Sequence, residues 1–456
     1  MCKFNYKNLD DLKQDLKRLE LDEQVGLSDD FSVFWNPLTL ENGTKINSRF
    51  AVHPMEGFDS NPDGSPSELT FRRYQRYGPG RYGLIWFEAT AVLPEARSNP
   101  SQLWLHDKSW EAFAKLVEKT KKLCKQQSGF EPCCILQLTH SGRYSRPDGK
   151  IPKPIIAHHS PYLDKTHGLP QDYPVVTDDY LDKLQDTFLH AAKLAQKAGF
   201  DGVDIKSCHR YLISELLASS TRPGKYGGSL ENRTRLLREI FAKVKHECQA
   251  LIPTTRLNAY DALPFPYGFG MNPDGSLEQN LDEPNYVIDE LKKLGMPIIN
   301  ITIANPYYEP HYGRPYDTPI IGAPDSPEHP LHGVARFVSL TAKLQAKHPQ
   351  LPIIGTGYSW LRQWLPNVAA WAIATKRVSM VGLGRMAFAY PDAPKDIATE
   401  QKLNPSKVCI SCSRCTQIMR DGEHTGCVIR DAKTYAKPYQ LAKKAAQIRL
   451  GVKTNE

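Results

Sequence analysis

Several features are missing from this 456-residue sequence, and each absence removes a class of protein. The N-terminus, MCKFNYKNLDDLKQDLKRLE, has no apolar core of a secretory signal. No later run approaches the roughly 18 apolar residues that a membrane-spanning helix needs. There is no polybasic block of the kind that binds nucleic acid, no internal repeat and no low-complexity tract. We therefore expect a cytoplasmic globular protein that binds neither membrane nor nucleic acid.

The charge balance is mildly basic, and the cysteines fall into two groups. Lys and Arg number 58 against 50 Asp and Glu, which gives a formal net charge of +8. This small excess favours anionic small molecules or an acidic protein partner. Six of the ten cysteines are dispersed between Cys2 and Cys248, as expected of buried thiols in a reducing compartment, and four cluster near the C-terminus.

Eight short apolar runs alternate with amphipathic helical segments. The runs are RFAVHP, YGLIWFEATAV, CCILQLT, GVDI, TTRLNA, PIINIT, LPIIGT and VSMVGLG. Strands this apolar are buried on both faces, and eight strand–helix units favour a closed (β/α)₈ TIM barrel. An open doubly wound sheet is the alternative, but no GxGxxG follows the first strand. Pro-rich residues 144–163 and 305–330 predict long loops after strands three and six, where barrels build active sites.

Smaller elements flank the predicted barrel. Leu at helical spacing in residues 8–24 predicts a surface helix within an N-terminal extension, residues 1–29. Asn42-Gly43 between alternating residues predicts a hairpin with a type I′ turn. We assign residues 30–400 to the barrel and residues 401–456 to a cysteine-rich segment with a basic helical tail.

The clustered cysteines have the spacing of a metal site. Cys409, Cys412 and Cys415 fall at every third position, and Cys427 follows after an interval of eleven residues. Thiolates spaced in this way can hold one compact [4Fe–4S] cluster. Structural zinc on four thiolates and four unligated buried thiols are the alternatives.

Six stretches, in this order, resemble the Old Yellow Enzyme family of FMN-dependent ene-reductases. They are RFAVHPMEGF, EATAV, LQLTHSGR, GVDIKSCHRYLISELL, KYGGSLENRTRLLREI and VGLGR, within residues 36–400. The cysteine segment is similar to the branch that contains 2,4-dienoyl-CoA reductase and trimethylamine dehydrogenase. That branch adds a [4Fe–4S] cluster and then a nucleotide-binding domain. The sequence stops too soon after Cys427 for such a domain, so we expect electrons from a separate protein such as a ferredoxin, a flavodoxin or a reductase subunit.

The resemblance implies an FMN site built from residues at the ends of the barrel strands. A positive charge beside flavin N1 and O2 would stabilise the anionic reduced flavin. The implied residues are Pro54 and Met55 against the isoalloxazine, Glu56 near N5, the backbone of Ala89, Gln137 at the pyrimidine edge, Arg256 beside N1 and O2, and Gly357, Gly384 and Arg385 at the phosphate.

The stretch KSCHRYL matches the family's substrate-binding pair and proton donor. Lys206 and His209 stand where the family has two polar residues that hydrogen-bond the substrate carbonyl. Tyr211 stands where the family has the tyrosine that protonates carbon. Lys206 replaces a histidine, and the other reading is that it only pairs with a neighbouring carboxylate, Asp204, Glu56 or Glu88.

The expected function follows from these matches. We expect an FMN- and [4Fe–4S]-dependent ene-reductase that delivers hydride from flavin N5 to the β-carbon of an enone or enoate, including an anionic one. Tyr307, Tyr308 and His311 in the second Pro-rich loop are candidates to line its pocket. The alternatives are an amine dehydrogenase or demethylase similar to trimethylamine dehydrogenase, with an aromatic bowl for a cation, and an electron-transfer subunit with a vestigial barrel.

Overall fold

The structure is a computed structural model that describes residues 3–149 and 151–451. Its described residues form a two-stranded sheet and a nine-stranded sheet. The strands are β1 (Leu38–Thr39), β2 (Lys45–Ile46), β3 (Phe50–Val52), β4 (Leu84–Ala91), β5 (Cys133–Thr139), β6 (Gly202–Ile205), β7 (Ile252–Thr254), β8 (Arg256–Asn258), β9 (Ile299–Thr302), β10 (Ile353–Gly355) and β11 (Met380–Leu383).

The nine-stranded sheet curls into a barrel. Its order is β7-β6-β5-β4-β3-β11-β10-β9-β8, and all of its pairings are parallel. Only Thr255 separates β7 from β8, so these are two halves of one strand and the ends of the sheet meet. The Thr255 hydroxyl donates to the carbonyl of Ile205 at 2.7 Å across this break. The predicted (β/α)₈ barrel is therefore confirmed, with its fifth strand interrupted.

The barrel strands are buried on both faces, as their apolar sequences predict. All eight residues of β4 and all seven of β5 are buried. Inward side chains fill the barrel, and outward ones pack under the helices, as with Phe87 against Phe200 at 5.0 Å between ring centroids. The core therefore encloses the barrel and leaves the strand ends free to carry polar residues.

Helices surround the barrel, and further helices lie near the N-terminus and the C-terminus of the chain. Local signals in the sequence set their bounds: α5 begins after Thr177, whose hydroxyl accepts from the Tyr180 N–H, and ends at Gly199 with a φ of 91°. The fourteen helices of the described residues are α1 (Leu9–Arg18), α2 (Glu68–Gln75), α3 (Trp110–Ser128), α4 (Pro161–His167), α5 (Asp178–Ala198), α6 (Leu212–Leu217), α7 (Leu230–Glu247), α8 (Asp282–Lys293), α9 (Pro330–Lys347), α10 (Leu365–Ala374), α11 (Arg385–Ala389), α12 (Ala393–Glu400), α13 (Arg414–Arg420) and α14 (Ala432–Arg449).

The predicted N-terminal hairpin is present, but its turn differs from the prediction. β1 and β2 pair antiparallel, with Leu38 opposite Ile46. Of the two central residues only Gly43 has a positive φ, 85°, whereas a type I′ turn needs both. The Gly43 N–H donates to the Leu40 carbonyl at 2.9 Å. Gly43 therefore closes a longer loop, and the I′ assignment was wrong.

The cysteine segment, residues 409–431, is fastened to the barrel from two sides. The Thr425 N–H donates to the Gly57 carbonyl at 2.7 Å. Asp431 accepts from Arg72 of α2 at 2.7 Å and from Arg76 at 2.8 Å. These contacts hold the segment over the carboxyl ends of the strands. No helix among residues 3–149 and 151–451 is both long and apolar enough to cross a bilayer.

Candidate active site

A cleft opens where the carboxyl ends of the barrel strands meet. It encloses about 1100 Å³, counting its open mouth, which suits a small-molecule or cofactor site. Strand ends, the long loop after β9 (residues 303–329) and the cysteine segment all contribute to its lining. The functional residues of the cleft therefore come from distant parts of the chain.

One wall of the cleft carries an oriented amide. Gln137 on β5 donates its side-chain N–H to the Asp204 carboxylate at 2.5 Å. Asp204 also accepts from the Trp86 indole at 2.8 Å and from the Arg256 backbone N–H at 2.7 Å. Because its N–H group faces Asp204, Gln137 turns its amide oxygen away from this carboxylate. Burial raises the pKa of Asp204 to about 6, and these hydrogen bonds oppose the shift.

Arg256 contributes a positive charge to the cleft lining, and His53 contributes a neutral ring. Arg256 is 8% exposed, and its Nε has no hydrogen-bond partner among the described residues. His53 receives a hydrogen bond at Nδ1 from Asn300 at 3.1 Å. Burial, reinforced by Arg256, lowers the pKa of His53 well below its usual value, so the imidazole is neutral.

Glycines and arginines form another part of the cleft lining. Gly384 approaches the Met55 side chain so closely that a Cβ there would lie 3.1 Å from the sulfur. Gly357 has a φ of 98°, a conformation that side-chain-bearing residues rarely adopt. Arg385 donates from Nη2 to the Pro315 carbonyl at 2.8 Å, while its buried Nη1 has no partner in the described part of the chain.

A carboxyl, an ammonium and a phenol meet in the cleft lining. Glu56 Oε1 lies 3.8 Å from Lys206 Nζ and accepts from Gln102 at 3.0 Å. Lys206 Nζ lies 3.6 Å from the ring centroid of Tyr211. Burial raises the pKa of Glu56 and lowers that of Lys206, so the two pKa values approach each other. Burial also raises the pKa of Tyr211 well above its usual value and keeps the phenol protonated.

His209 lies on strained backbone next to this trio. It has a φ of 63° and Arg210 a φ of 60°, and two adjacent left-handed residues without glycine are costly. The Asn258 side chain accepts the His209 backbone N–H at 3.2 Å, and Arg210 pairs with buried Asp261 at 2.8 Å. Burial, with Arg256 and Lys206 nearby, lowers the pKa of His209 well below its usual value. The turn therefore aims a neutral imidazole at the cleft.

Stacked tyrosines border the trio on the side of the long loops. The Tyr211 hydroxyl lies 3.3 Å from that of Tyr307. Tyr307 stacks on Tyr144 with 4.1 Å between ring centroids, and Arg420 of α13 lies 4.4 Å above the Tyr307 ring. The phenol of Tyr211 thus faces an aromatic wall that the cysteine segment completes.

The four clustered cysteines line one small cavity beside the cleft. Cys409, Cys412, Cys415 and Cys427 all border it, and Cys415 borders the cleft as well. Backbone N–H groups of Ser411 and Arg430 donate to the sulfurs of Cys409 and Cys427, each at 3.4 Å. Within the described ranges no three His, Cys, Asp or Glu side chains converge closely enough for a single metal ion.

Comparison with known proteins identifies the family. The model of the NADH:flavin oxidoreductase / NADH oxidase family matches residues 33–264. The chain belongs to this flavin oxidoreductase family. The Old Yellow Enzyme resemblance is therefore confirmed, and with it membership of an oxidoreductase family.

Curated relatives support this membership over part of their length. The NADPH dehydrogenase of Halalkalibacterium halodurans is 34% identical over 206 residues, which are 44% of this chain and 57% of the relative. The NADPH dehydrogenase of Bacillus subtilis is 33% identical over 218 residues, 46% of this chain and 59% of the relative. The matched region thus spans little more than half the length of these relatives.

Solved structures share the fold of this flavin oxidoreductase. A 2-naphthoyl-CoA reductase superposes with a TM-score of 0.68 at 17% identity, over 90% of this chain and 58% of that one. The Old Yellow Enzyme homologue from Zymomonas mobilis gives 0.58 at 19% identity, over 82% and 94%. Histamine dehydrogenase from Rhizobium sp. 4-9 gives 0.63 at 19% identity, over 87% and 52%.

The structure brings together nearly all the residues that the sequence singled out. All of the predicted catalytic and FMN-site residues except Ala89 line the cleft. Ala89 is fully buried, and its carbonyl accepts from Gln102 at 3.0 Å. In the loop after β9, Tyr307 lines the cleft, whereas Tyr308 and His311 are not among its lining residues.

Other residues of the flavin oxidoreductase cleft escaped the sequence analysis. Gln102 orients Glu56, and Arg314, Thr416 and Met419 line the cleft from the long loop and the cysteine segment. A lone arginine in a Pro-rich loop carries no spacing signal. Only the folded chain shows that Arg314 points at the cleft.

Proposed function

We propose that this protein is an FMN-dependent ene-reductase that reduces a carbonyl-activated C=C bond and carries one [4Fe–4S] cluster. The observation that carries the proposal is the Glu56, Lys206 and Tyr211 trio, which shares one cleft with an oriented amide and with glycines and arginines that keep unpartnered N–H groups. This arrangement offers donors and acceptors for a flavin together with proton donors.

The residues present fit FMN. The Gln137 amide oxygen and the Arg256 cation match the pyrimidine edge of an isoalloxazine, and Gly357, Gly384 and Arg385 match a phosphate. The buried, unpaired N–H groups of Arg256 and Arg385 call for an anionic or acceptor partner. When bound, FMN would supply the hydride for the β-carbon of the substrate.

The residues of this chain would activate and protonate the substrate. Lys206 can donate to a carbonyl oxygen from Nζ, and the neutral His209 can donate its one ring N–H. Tyr211 keeps its proton at neutral pH and can release it to the α-carbon. The Lys206 ammonium over the ring stabilises the phenolate that this transfer leaves.

The cysteine cavity fits an iron–sulfur cluster better than zinc. The thiolates of a cubane bind four different iron atoms and therefore stand farther apart than four ligands of one ion. The described cysteines surround one cavity without converging on a single-ion site. Backbone donors to two of the sulfurs match the hydrogen bonding that tunes such clusters. Cys409, Cys412, Cys415 and Cys427 are therefore proposed as the ligands.

The amine dehydrogenase alternative ranks lower because of charge. A cationic amine would need an aromatic face, but the Lys206 ammonium already lies over the Tyr211 ring. Arg256 adds a second positive charge to the cleft. The electron-transfer alternative ranks lower because such a subunit needs no buried acid–base trio.

We propose a separate acidic electron carrier, such as a ferredoxin, a flavodoxin or a reductase subunit, as the donor to the cluster. Exposed basic residues near the cysteines, Arg414, Lys433 and Lys437, support this choice. The donor is tested by stopped-flow reduction: fast flavin reduction by NADH or NADPH in cluster-free protein would overturn it.

The function is tested on anaerobically purified protein. Flavin and iron analysis should find FMN and about four irons per chain, as one [4Fe–4S] cluster requires. Reduced dye plus a panel of enones and enoates should give turnover, which Tyr211→Phe should lower about 10²-fold or more without loss of FMN. Stoichiometric zinc without iron would overturn the cluster, and turnover of amines but no enone would overturn the reaction.

A further inference from the structure

Arg314, in the long loop after β9, reaches the cysteine segment. Its Nη1 donates to Ser413 Oγ at 2.7 Å and to Thr416 Oγ1 at 3.2 Å. Ser413 lies between two of the cysteines, is 2% exposed and donates to the Thr318 carbonyl at 2.5 Å. One edge of the guanidinium therefore ties the loop to the segment that carries the thiols.

The rest of this guanidinium lies 4.9 Å from the centroid of the Tyr316 ring but has no carboxylate partner among the described residues. Arg314 Nε is buried and has no hydrogen bond within the described residues, and Arg314 lines the cleft together with Arg385. Arg385 has its own buried, unpaired Nη1. No carboxylate of residues 3–149 or 151–451 forms an ion pair with either side chain.

Arg314 and Arg385 are partly buried and close enough to repel each other, and an anion bound between them would relieve this repulsion. Guanidinium groups present parallel N–H donors that match phosphate oxygens. Both arginines line the cleft, as do Gly357 and Gly384. A phosphate is therefore an anion that fits the donors left free here.

We propose that Arg314 is a further phosphate-binding residue for FMN, and that through Ser413 it links FMN binding to the seating of the cysteine segment. This inference rests on the proposed FMN site. Linkage is reciprocal: if the seated segment tightens FMN binding, bound FMN holds the segment by the same factor. The Arg314 guanidinium is the shared element because it contacts the cysteine segment through Ser413 and would also contact the FMN phosphate.

The first test measures FMN affinity, by quenching of flavin fluorescence on flavin-depleted protein. Arg314→Gln should raise the dissociation constant about 10-fold or more, in the range of typical coupling between sites. Arg314→Lys keeps the positive charge but loses the paired N–H donors of the guanidinium. Its affinity for FMN should therefore lie between that of the wild type and that of Arg314→Gln. Arg336→Gln is the matched control, because Arg336 pairs with Glu328 outside the cleft lining and should bind FMN as the wild type does.

The second test separates linkage from simple contact. Ser413 does not line the cleft, so Ser413→Ala should weaken FMN binding about 5-fold or more only if Arg314 transmits the effect. Added FMN should slow proteolysis of residues 409–431 in the wild type and not in Arg314→Gln. If Arg314→Gln does not fold, Arg314→Lys and Ser413→Ala provide the same comparison.

Three outcomes would decide against these ideas in different ways. Wild-type affinity in Arg314→Gln would overturn the phosphate role of Arg314. Weak binding in Arg314→Gln with wild-type binding in Ser413→Ala, and proteolysis independent of FMN, would overturn the linkage. Wild-type protein that binds no FMN at all would overturn the proposed function itself.

Discussion

At the scale of residues, the buried ammonium of Lys206 determines how charged groups interact in the cleft. Lys206 is 4% exposed, lies 3.8 Å from Glu56 and covers the face of Tyr211. The sequence left open whether Lys206 pairs with a carboxylate or binds the substrate. The observed geometry is compatible with both roles. Lys206 Nζ and Glu56 Oε1 are 3.8 Å apart, which exceeds the length of a hydrogen bond. A substrate oxygen can therefore compete with Glu56 for the ammonium.

Replacing Lys206 distinguishes these readings. Lys206→Met should retain FMN, lower the flavin potential through loss of a nearby positive charge, and slow enone reduction about 10²-fold, as expected when one donor to the transition state is removed. Turnover and a redox titration measure these effects. Lys121→Met is the control, because Lys121 pairs with Asp201 at 2.7 Å outside the cleft lining. Unchanged turnover and potential would leave Lys206 a structural role only.

Asp204 carries a second residue-scale prediction, on pH. Its folded pKa of about 6 lies above the unfolded value of 3.8 because burial disfavours the charge. The folded state therefore holds a proton that the unfolded state has lost between these values, and stability falls as pH rises through this window. Relative to Asp204→Asn, the wild type should lose about 2 kcal/mol between pH 4 and pH 7. Urea unfolding at both pH values measures this difference, and a parallel change in the two proteins would contradict it.

At the scale of structural elements, the cysteine segment contributes to the shape of the cleft wall. Its short helix α13 presents Thr416 and Met419 to the cleft and Arg420 to the Tyr307 ring. The same segment is held at its far end by Asp431 between Arg72 and Arg76. A segment that looks like an appendage in the sequence therefore forms a wall of the cleft.

Removing one thiol tests what this element holds. Cys412→Ser should abolish the broad visible absorbance of an iron–sulfur cluster and reduce bound iron, because each cysteine of a cubane holds one iron. FMN should still bind to the barrel, since Gln137, Arg256 and Arg385 lie outside the segment, and its affinity should fall only by the factor of the linkage proposed through Arg314. Cys124→Ser is the control, because Cys124 is a buried thiol of α3 far along the chain. Iron content equal to the wild type would argue against these four ligands.

Net charge acts at the scale of the whole molecule. The formal charge is +8, and exposed basic residues lie near the cysteines. If an acidic carrier delivers the electrons, its association rate should fall steeply as ionic strength rises, because salt screens the attraction between opposite charges. Stopped-flow reduction at low and high salt checks this prediction. The rate with small neutral dyes should change little, and equal salt sensitivity for both donors would refute electrostatic docking.

The sequence by itself determined the barrel and the identity of most cleft residues. Apolar runs between amphipathic helices specify parallel strands locally. Residues at the carboxyl ends of these strands meet at one end of the barrel, independently of the paths of the loops. The resemblance to the Old Yellow Enzyme family then assigned Gln137, Lys206, Arg256 and Gly384 to one site. The spacing of the cysteines is likewise local and readable.

Only the tertiary structure decided how these parts meet. Glu56 and Lys206 are far apart in the chain, and their 3.8 Å separation depends on the path of both loops. Arg314 reaches Ser413 across 99 positions of sequence. Loop paths follow from long-range packing and have no sequence period, whereas strands and helices do. The turn at Gly43, the burial of Ala89 and the contact of Arg314 with the cysteine segment therefore had to come from the folded chain.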